Sequence, residues 1–532
     1  MITPKRLFAA IASGLGMILI SPPISLFWLL WVLWVPLLWA MRAEDKRGNT
    51  LLAYLAGYAG VSTVFFWISE AIAIYSNVPG PLCLVAVHLF AMFYAIPYAF
   101  VFGRVHDLRR RFGLWWILAL PAFQVAVEFL PLALSPLIGI RISLFPYFLG
   151  ATQYRVPELI QIASVTGVVG VTFLAILPNA VIAELIFRRR EGRPLDWRPL
   201  MGTIALFGAL FAWGSNRIAN ITETMNDWPE VHLSQIQQNI TMQERMASSS
   251  RDVLRDWKTL DDSLLGEEMD LIIWPEGAIL NDPRRSRRIM QFLGQEVINH
   301  DASLLLGGGY AEPTDDSRYE LRNSAYLITP TVATRRNGTE VSSAEISQRY
   351  DKMVPLPFGE YIPFSDTFPI LREWLQGPGN FKPGERPTLF EIEANSGPFT
   401  LYSPICYEAI LPRFMRREMS DSDLIVNITN DGWFGDTPAP HQHAMLTTFR
   451  ALELGAPLYR LGYTGVSFTV TPSGEISNET APYEDSATVV TIKVGSLDTF
   501  YKRNGDVFGW LCSVLLFGGM LFTRKRVSHQ AQ

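Results

Sequence analysis

The sequence is poor in charge and in cysteine. Only 18% of its 532 residues are Asp, Glu, Lys or Arg, whereas 49% are hydrophobic. Cysteine occurs three times, at Cys83, Cys406 and Cys512, and no two of these form a CxxC pair. A disulfide framework and a cysteine-based metal site are therefore excluded. No basic patch with interleaved aromatic residues is present, so we expect no nucleic-acid partner.

The hydrophobic residues are concentrated in residues 7–217 and 506–523, which indicates a membrane protein that carries a polar insert. A helix needs about 20 apolar residues to cross a bilayer. We predict seven transmembrane helices within residues 1–217 and an eighth at 506–523, with spans at 7–20, 24–41, 51–74, 82–103, 114–133, 160–187, 199–217 and 506–523. A cleaved signal peptide is the alternative for the first segment, but no small-x-small cleavage site precedes Ser21, which favours an uncleaved span.

Positive charge is distributed unevenly between the loops. Lys and Arg cluster at residues 5–6, 42–49, 104–111, 188–198 and 524–526, whereas the intervening short loops carry only Arg141 and Arg155. Positively charged loops stay on the cytoplasmic side of a membrane. Both termini are therefore predicted to lie inside, and the long segment 218–505 is predicted to lie outside.

Residues 226–497 have the pattern of an α/β domain. Runs of β-branched and aromatic residues predict strands at 231–240, 270–279, 302–310, 323–329, 399–408, 423–431 and 488–494. Polar helical patterns separate several of them, at 242–265, 284–298 and 441–455. This alternation favours a sheet layered with helices. Gly307, Gly308 and Gly309 lack the lysine and the spacing of a phosphate loop, so they indicate a tight strand exit.

Three polar residues lie in or directly behind apolar, strand-like runs. Glu276 follows "LIIWP", Cys406 follows "LYSPI", and Lys352 lies in "RYDKMVPLPFGEYIPF". Each of them alone has an ordinary explanation. A Glu at a strand end is usually a solvated rim residue, a Lys almost always is, and a Cys usually behaves as a small buried hydrophobe. Their surroundings favour a catalytic role instead.

The segments "WPEGAI", "YDKMVPLPFGEYIPF" and "PICYEAI" resemble the Glu-Lys-Cys motifs of the nitrilase (carbon–nitrogen hydrolase) superfamily. The flanking spans, together with "NDGWFGDTPAPHQH" and "FRALELGAPLYR", resemble the apolipoprotein N-acyltransferase family over nearly the whole chain. The resemblance implies an αββα sandwich inserted into an eight-helix transmembrane domain. It also implies a double-displacement acyl transfer with Cys406 as nucleophile, Glu276 as general base and Lys352 as the cation beside the oxyanion.

The resemblance extends to supporting positions. Glu360 matches a second glutamate of the family's site, and Tyr407 and Glu408 match the pair after the family's cysteine. Trp433 matches a substrate-contacting aromatic residue in the loop after the following strand. The Pro-rich and aromatic stretches 355–364, 368–381 and 431–436 are interpreted either as lids over the site or as packing segments.

The chain departs from the family pattern at three positions. Gln238 replaces a frequent Gly, Met246 stands near the place of a Trp, and Tyr463 replaces Asn or a similar polar residue. His441 and His443 are two residues apart, a spacing that does not by itself make a metal site, and we expect them to pack or to cap. The catalytic residues are unaffected by these departures.

The family resemblance implies the substrates and the location. A membrane phospholipid would donate the acyl chain, and the N-terminal S-diacylglyceryl cysteine of an apolipoprotein would accept it, in the last step of bacterial lipoprotein maturation. No cofactor or metal is expected, and we expect a monomer. The protein would be a multi-pass protein of the bacterial cytoplasmic (inner) membrane, with its nitrilase-like catalytic domain, residues 226–497, on the periplasmic face.

Two other functions use the same sequence features. A membrane-anchored amidase of the nitrilase type would need the same three catalytic residues, although a simple anchor needs one span rather than eight. A transporter with an extracytoplasmic binding domain would leave Glu276, Lys352 and Cys406 unexplained. No span is clearly broken in the paired manner that transporters show.

Overall fold

The computed structural model describes residues 2–75, 79–135, 146–240, 244, 247–314, 319–334, 340–362, 365, 367–370 and 380–529. Met246 and Arg141 lie outside the described residues, as do parts of the two stretches 355–364 and 368–381. The chain forms two compact units. The first consists of residues 1–73, 78–219 and 503–532, and the second consists of residues 74–77 and 220–502.

The first unit is helical. Its helices are α1 (Pro4–Ile20), α2 (Val35–Ala40), α3 (Lys46–Val64), α4 (Ile68–Tyr75), α5 (Gly80–Val101), α6 (Val105–Phe112), α7 (Trp116–Leu134), α8 (Pro157–Ile160), α9 (Ala163–Thr166), α10 (Val168–Arg190), α11 (Arg198–Met225), whose last residues belong to the second unit, and α17 (Val507–His529). Helix α3 packs against α1 and α5, and α7 packs against α10 and α17. Small residues allow the closest approach: a Cβ on Gly14 would lie 2.2 Å from the Ala56 carbonyl oxygen, a contact typical of tightly packed membrane helices.

The apolar helices correspond only in part to the eight predicted spans. Two helical segments of the described residues are long and apolar enough to cross a membrane, Gly80–Leu134 and Val168–Arg190. A third results if the pair Lys46–Val64 and Ile68–Ile74, bent by 43°, is one span. The segments Phe27–Ala40 and Val507–Gly518 are apolar but shorter. The predicted span 24–41 falls short because it contains a 3-10 helix, Phe27–Trp31, before the six-residue α2.

The strands of the second unit are β1 (Glu230–Gln237), β2 (Leu271–Ile279), β3 (Ser303–Pro313), β4 (Tyr319–Thr334), β5 (Glu340–Asp351), β6 (Leu389–Ile392), β7 (Phe399–Tyr402), β8 (Leu424–Thr429), β9 (Leu458–Gly462), β10 (Phe468–Val470), β11 (Ile476–Ser477) and β12 (Ser486–Lys493). They form two six-stranded sheets, the first with the order β12-β1-β2-β3-β4-β5 and the second with the order β11-β10-β9-β8-β7-β6. Strands β1, β2 and β3 of the first sheet are parallel to one another, as are β7, β8 and β9 of the second. The other neighbouring strands pair antiparallel.

The two sheets face each other and carry helices on their outer faces. Strand β2 lies against β8 and β9 of the other sheet. Helices α12 (Ser250–Asp262) and α13 (Arg287–His300) pack on the first sheet. Helices α14 (Pro412–Glu418) and α15 (Ala439–Leu454) lie on the side of the second sheet, and a short helix, α16 (Phe500–Asn504), follows in the sequence. The core under α12 and α13 includes Trp257 and Trp274, whose rings stack with centroids 5.0 Å apart.

All seven predicted strands are present, with boundaries that differ by a few residues, except that β7 ends at Tyr402 rather than at residue 408. Strands β5, β6, β9, β10 and β11 were not predicted. Strand β5, "EVSSAEISQRYD", is an edge strand with little apolar character. The others are two to five residues long, which is too short for a periodicity to be recognised.

Strand β2 is irregular at the point where Glu276 leaves it. The pairing of β2 with β3 shifts register between Trp274 and Ile279, because Pro275 has no N–H to donate to the ladder and Gly277 has φ 69°. A Cβ on Gly307 would lie 2.6 Å from the Glu276 Cα, so β3 needs glycine where it passes this bulge. The glycine run therefore lies within β3, not at its exit as predicted.

Candidate active site

The second unit brings Glu276, Lys352 and Cys406 together from three places in the sequence. Glu276 lies near the end of β2, Lys352 follows β5 directly, and Cys406 begins a 3-10 helix, Cys406–Ile410, shortly after β7. The backbone N–H of Lys352 donates to the Asn323 carbonyl over 2.8 Å, which fixes the start of its segment beside β4. All three residues are almost fully buried: the exposed fraction is 5% for Glu276, 2% for Lys352 and 4% for Cys406.

Lys352 is held between two carboxylates. Its Nζ lies 2.8 Å from Glu360 Oε2 and 3.4 Å from Glu276 Oε1. Burial opposes the charge of the ammonium group, but Glu360 and Glu276 outweigh that effect and hold the pKa of Lys352 well above its usual range. Lys352 is therefore a fixed cation in a dry site, the kind of group that stabilises a developing oxyanion.

Glu276 is oriented by neutral donors as well as by the lysine. The side-chain amide of Asn323 donates to Glu276 Oε1 and to Glu360 Oε1, both over 2.7 Å, and the backbone N–H of Asn430 donates to Glu276 Oε2 over 2.8 Å. Burial raises the pKa of Glu276, although Lys352 opposes this rise. A carboxylate with a raised pKa is better matched to proton transfer near neutral pH.

Cys406 occupies a strained and buried position. Its φ of 52° lies in the left-handed region, which non-glycine residues rarely adopt. Burial raises the pKa of the thiol, Glu276 raises it further, and Lys352 and a hydrogen bond with Thr429 oppose them. Cys406 is therefore a thiol at neutral pH and needs a base. No hydrogen bond joins it to Glu276 within the described part of the chain, a separation that is common before a substrate binds.

A buried polar network holds the backbone of Cys406. The Cys406 carbonyl lies 3.3 Å from Asn427 Nδ2 and 3.3 Å from His443 Nε2. Asp431 accepts from Arg460 Nη2 over 2.5 Å, and its other oxygen lies 2.9 Å from His443 Nδ1. Burial, followed by Arg460, lowers the pKa of His443, whereas Arg460 and His443 outweigh burial and hold the pKa of Asp431 at about 2.

Sequence reasoning missed this network. We expected His443 to pack or to cap, but its ring links a buried carboxylate to the backbone of the candidate nucleophile, while His441 is only partly buried. Asn323, Asp431 and Arg460 were also missed as site residues. A polar or charged residue at the end of, or within, an otherwise apolar strand was the available signal for them, since such residues are seldom buried unless paired.

Glu408 connects the segment that bears Lys352 to the segment that bears Cys406. Its Oε1 accepts from the backbone N–H of Met353 over 2.7 Å, from Val354 over 2.9 Å and from the Tyr350 hydroxyl over 2.8 Å. Its Oε2 accepts from the backbone N–H of Ile405 over 2.8 Å. Burial raises the pKa of Glu408 to about 7, although Lys352 and the hydrogen bonds favour the carboxylate. Its position is that of a scaffold between the two segments.

The other residues singled out in the sequence lie around this site. Glu360 Oε2 accepts from the Leu356 N–H over 2.6 Å, which closes the turn after Lys352. Tyr407 is buried beside the cysteine, and Trp433 lies partly buried in a 3-10 helix, Asp431–Phe434. The stretches 355–364 and 368–381, interpreted above as lids or packing segments, include residues 363–364 and 371–379, which lie outside the described residues.

Two of the departures from the family pattern contact each other. The Tyr463 hydroxyl donates to Gln238 Oε1 over 2.7 Å, and both side chains are buried. The Tyr463 ring also packs edge-on against Trp257, with centroids 5.7 Å apart. The amide oxygen of Gln238 therefore supplies the acceptor that the buried Tyr463 hydroxyl needs.

Comparison with known proteins shows the family of this chain. A family model described as carbon-nitrogen hydrolase matches residues 231–501, just over half of the chain, and contains all three residues of the candidate site. The chain therefore belongs to the carbon–nitrogen hydrolase family. A second model, described as the apolipoprotein N-acyltransferase N-terminal domain, matches residues 13–181.

The particular relatives are similar to this chain along its whole length. An apolipoprotein N-acyltransferase from Geobacter metallireducens is 28% identical over 99% of this chain and 97% of its own. One from Haemophilus ducreyi is 27% identical over 99% of both chains. Among solved structures, a CN-hydrolase superfamily protein from Xanthomonas campestris is 16% identical, covers 49% of this chain and 90% of its own, and has a TM-score of 0.34.

Proposed function

We propose that the protein is an acyltransferase that N-acylates lipoproteins. The acyl chain would come from a membrane phospholipid, and the acceptor would be the α-amine of an N-terminal S-diacylglyceryl cysteine. The observation that carries this proposal is the buried group of Glu276, Lys352 and Cys406. It lies in a chain that matches apolipoprotein N-acyltransferases from end to end. The family resemblance assigns the roles, and the geometry supports them.

The first half-reaction would attach the acyl group of the phospholipid to Cys406 as a thioester. Glu276 takes the proton of the Cys406 thiol as its sulfur attacks the ester carbonyl of the phospholipid. Lys352 stabilises the oxyanion of the tetrahedral intermediate. When the carbon–oxygen bond breaks, Glu276 returns the proton to the departing alkoxide, and a lysophospholipid leaves. The raised pKa of the buried thiol is the reason a base is needed.

The second half-reaction would transfer the acyl group from Cys406 to the acceptor amine. The free α-amine of the acceptor attacks the thioester carbonyl, and a second oxyanion forms beside Lys352. Glu276 accepts a proton from the attacking nitrogen and delivers it to the sulfur of Cys406 as the carbon–sulfur bond breaks. The products are an amide and the original thiol, so no oxidant, nucleotide or metal enters the balance. The phospholipid ester is reactive enough to drive amide formation, because the thioester intermediate keeps the acyl group activated.

Both substrates are anchored in a bilayer, which supports a location in the bacterial cytoplasmic (inner) membrane. Eight crossing helices, with residues 226–497 on the periplasmic face, agree with the positive loops. The two or three helices of the required length support the membrane location. A site that excludes water would keep the thioester from hydrolysis.

The test is transfer between two defined substrates. Purified protein, a phospholipid and a peptide that begins with S-diacylglyceryl cysteine should give an N-acyl peptide, detected by mass spectrometry. Cys406→Ala should give none, whereas the matched variants Cys83→Ala and Cys512→Ala should keep nearly full activity. Steady release of free fatty acid, or turnover of small amides without lipid, would replace the acyltransferase by the amidase alternative.

A further inference from the structure

Three metal-ligating side chains meet between the two helices that cover the first sheet. Asp261 lies in the last turn of α12, and Glu296 and His300 lie four residues apart on α13. Residues at this spacing share one face of a helix. One donor atom from each of the three residues lies within 4.8 Å of the other two. None of these residues belongs to the candidate active site.

The three side chains are buried and poorly satisfied. The side chains of Asp261, Glu296 and His300 are 0%, 1% and 1% exposed. Both carboxylate oxygens of Asp261, Oε2 of Glu296 and Nε2 of His300 make no hydrogen bond of regular geometry with the described residues. His300 Nε2 lies 3.1 Å from an Asp261 oxygen. Leaving such groups buried without partners is unfavourable, and more so when they are charged.

The cluster brings two buried carboxylates, those of Asp261 and Glu296, together with one imidazole, that of His300. Lys258 lies 3.7 Å from Glu296 Oε1, but it is 44% exposed and lies closer to Asp262, at 2.6 Å. Two buried carboxylates in the ionised state need a well-placed compensating cation.

We propose that Asp261, Glu296 and His300 bind one divalent transition-metal ion of the Zn²⁺ or Mn²⁺ class. One imidazole with two carboxylates is a donor set that such ions accept, whereas Mg²⁺ and Ca²⁺ prefer oxygen ligands alone. Donor atoms bonded at about 2.0–2.2 Å to one ion lie at most about 4.4 Å apart. A small movement of these side chains would therefore close the site. The ion would tie α12 to α13, and its role would be structural.

The experiment measures metal content and stability in the full chain. The protein is purified without a polyhistidine tag, treated with a chelator and titrated with Zn²⁺, Mn²⁺ or Mg²⁺. We expect about one equivalent of bound Zn²⁺ and a rise of several degrees in Tm with Zn²⁺ or Mn²⁺ but not with Mg²⁺. His300→Ala and Glu296→Gln should abolish both effects.

The matched control is His232→Ala, because His232 lies on β1 in the same unit and its ring nitrogen contacts only the Thr491 hydroxyl among the described residues, at 3.1 Å. This variant should bind metal as the unaltered chain does. If His300→Ala binds as much Zn²⁺ as His232→Ala, the proposal is wrong. It is also wrong if no metal binds and Tm depends on pH alone, since the carboxyls would then share a proton. Neither outcome bears on the proposed acyl transfer, because Cys406 lies in a different site.

Discussion

Removal of the Glu408 carboxylate should separate the two segments that form the candidate site. In Glu408→Ala, the backbone N–H groups of Val354 and Ile405 and the hydroxyl of Tyr350 lose their acceptor inside the protein. The Met353 N–H keeps only the Tyr350 oxygen, 3.3 Å away. An unsatisfied buried donor costs about 1–3 kcal/mol, so three cost about 3–9 kcal/mol. The stability of a whole domain is about 5–15 kcal/mol. The catalytic unit of Glu408→Ala should therefore be largely unfolded or melt far below the unaltered protein.

Glu408→Gln is the matched control for this prediction. Its amide oxygen can take the place of Oε1 and keep three of the four hydrogen bonds, so that only the Ile405 N–H faces a donor. The expected cost is about 1–3 kcal/mol, and this variant should fold. Glu385→Ala, at an exposed position, should change Tm very little. Thermal unfolding in detergent measures all three, and an unchanged Tm in Glu408→Ala would refute the scaffold role.

Three further predictions concern the reactivity of the site. The rate of Cys406 alkylation by iodoacetamide should rise about tenfold per pH unit between pH 6 and 9, because burial raises the thiol pKa and only the thiolate reacts; a plateau below pH 8 would contradict this. Lys352→Met should slow acyl loading and unloading by about 100-fold or more, because each step passes through an oxyanion, and a loss confined to one step would argue against its role. His443→Ala should slow both alkylation and transfer about tenfold, because the buried Cys406 carbonyl loses a hydrogen-bond partner. His443→Gln keeps an N–H and should recover part of the rate. Equal rates in both variants would mean that His443 only fills space.

The parts of the fold that the sequence predicted are those with long apolar runs. Strands β2, β3 and β8 are buried and rich in β-branched or aliphatic residues, and their patterns are unambiguous. Strand β5 could not be predicted, because its residues pair with β4 at a sheet edge and bury little apolar surface. Its position nevertheless decides where Lys352 lies, since Lys352 follows its last residue.

Only those residues of the candidate site that lie in a recognisable local motif could be predicted from the sequence. Glu276, Lys352 and Cys406 each stand in a recognisable segment. The partners that hold them come from elsewhere: Asn323 lies 47 positions from Glu276, and His443 lies 37 positions from Cys406. Such contacts depend on how strands and helices are assembled in space, and no local pattern encodes them. The contact between Tyr463 and Gln238, 225 positions apart, is of the same kind.

The most direct test of the account is to isolate the acyl-enzyme. Purified protein incubated with phospholipid and no acceptor should accumulate one acyl chain on Cys406, seen as a mass increase that neutral hydroxylamine removes and that Cys406→Ala lacks. A peptide with a free α-amine on S-diacylglyceryl cysteine should then discharge it and yield the N-acyl peptide, whereas the same peptide with a blocked amine should not. If no acyl group is found on Cys406 while transfer proceeds, the thioester mechanism is contradicted.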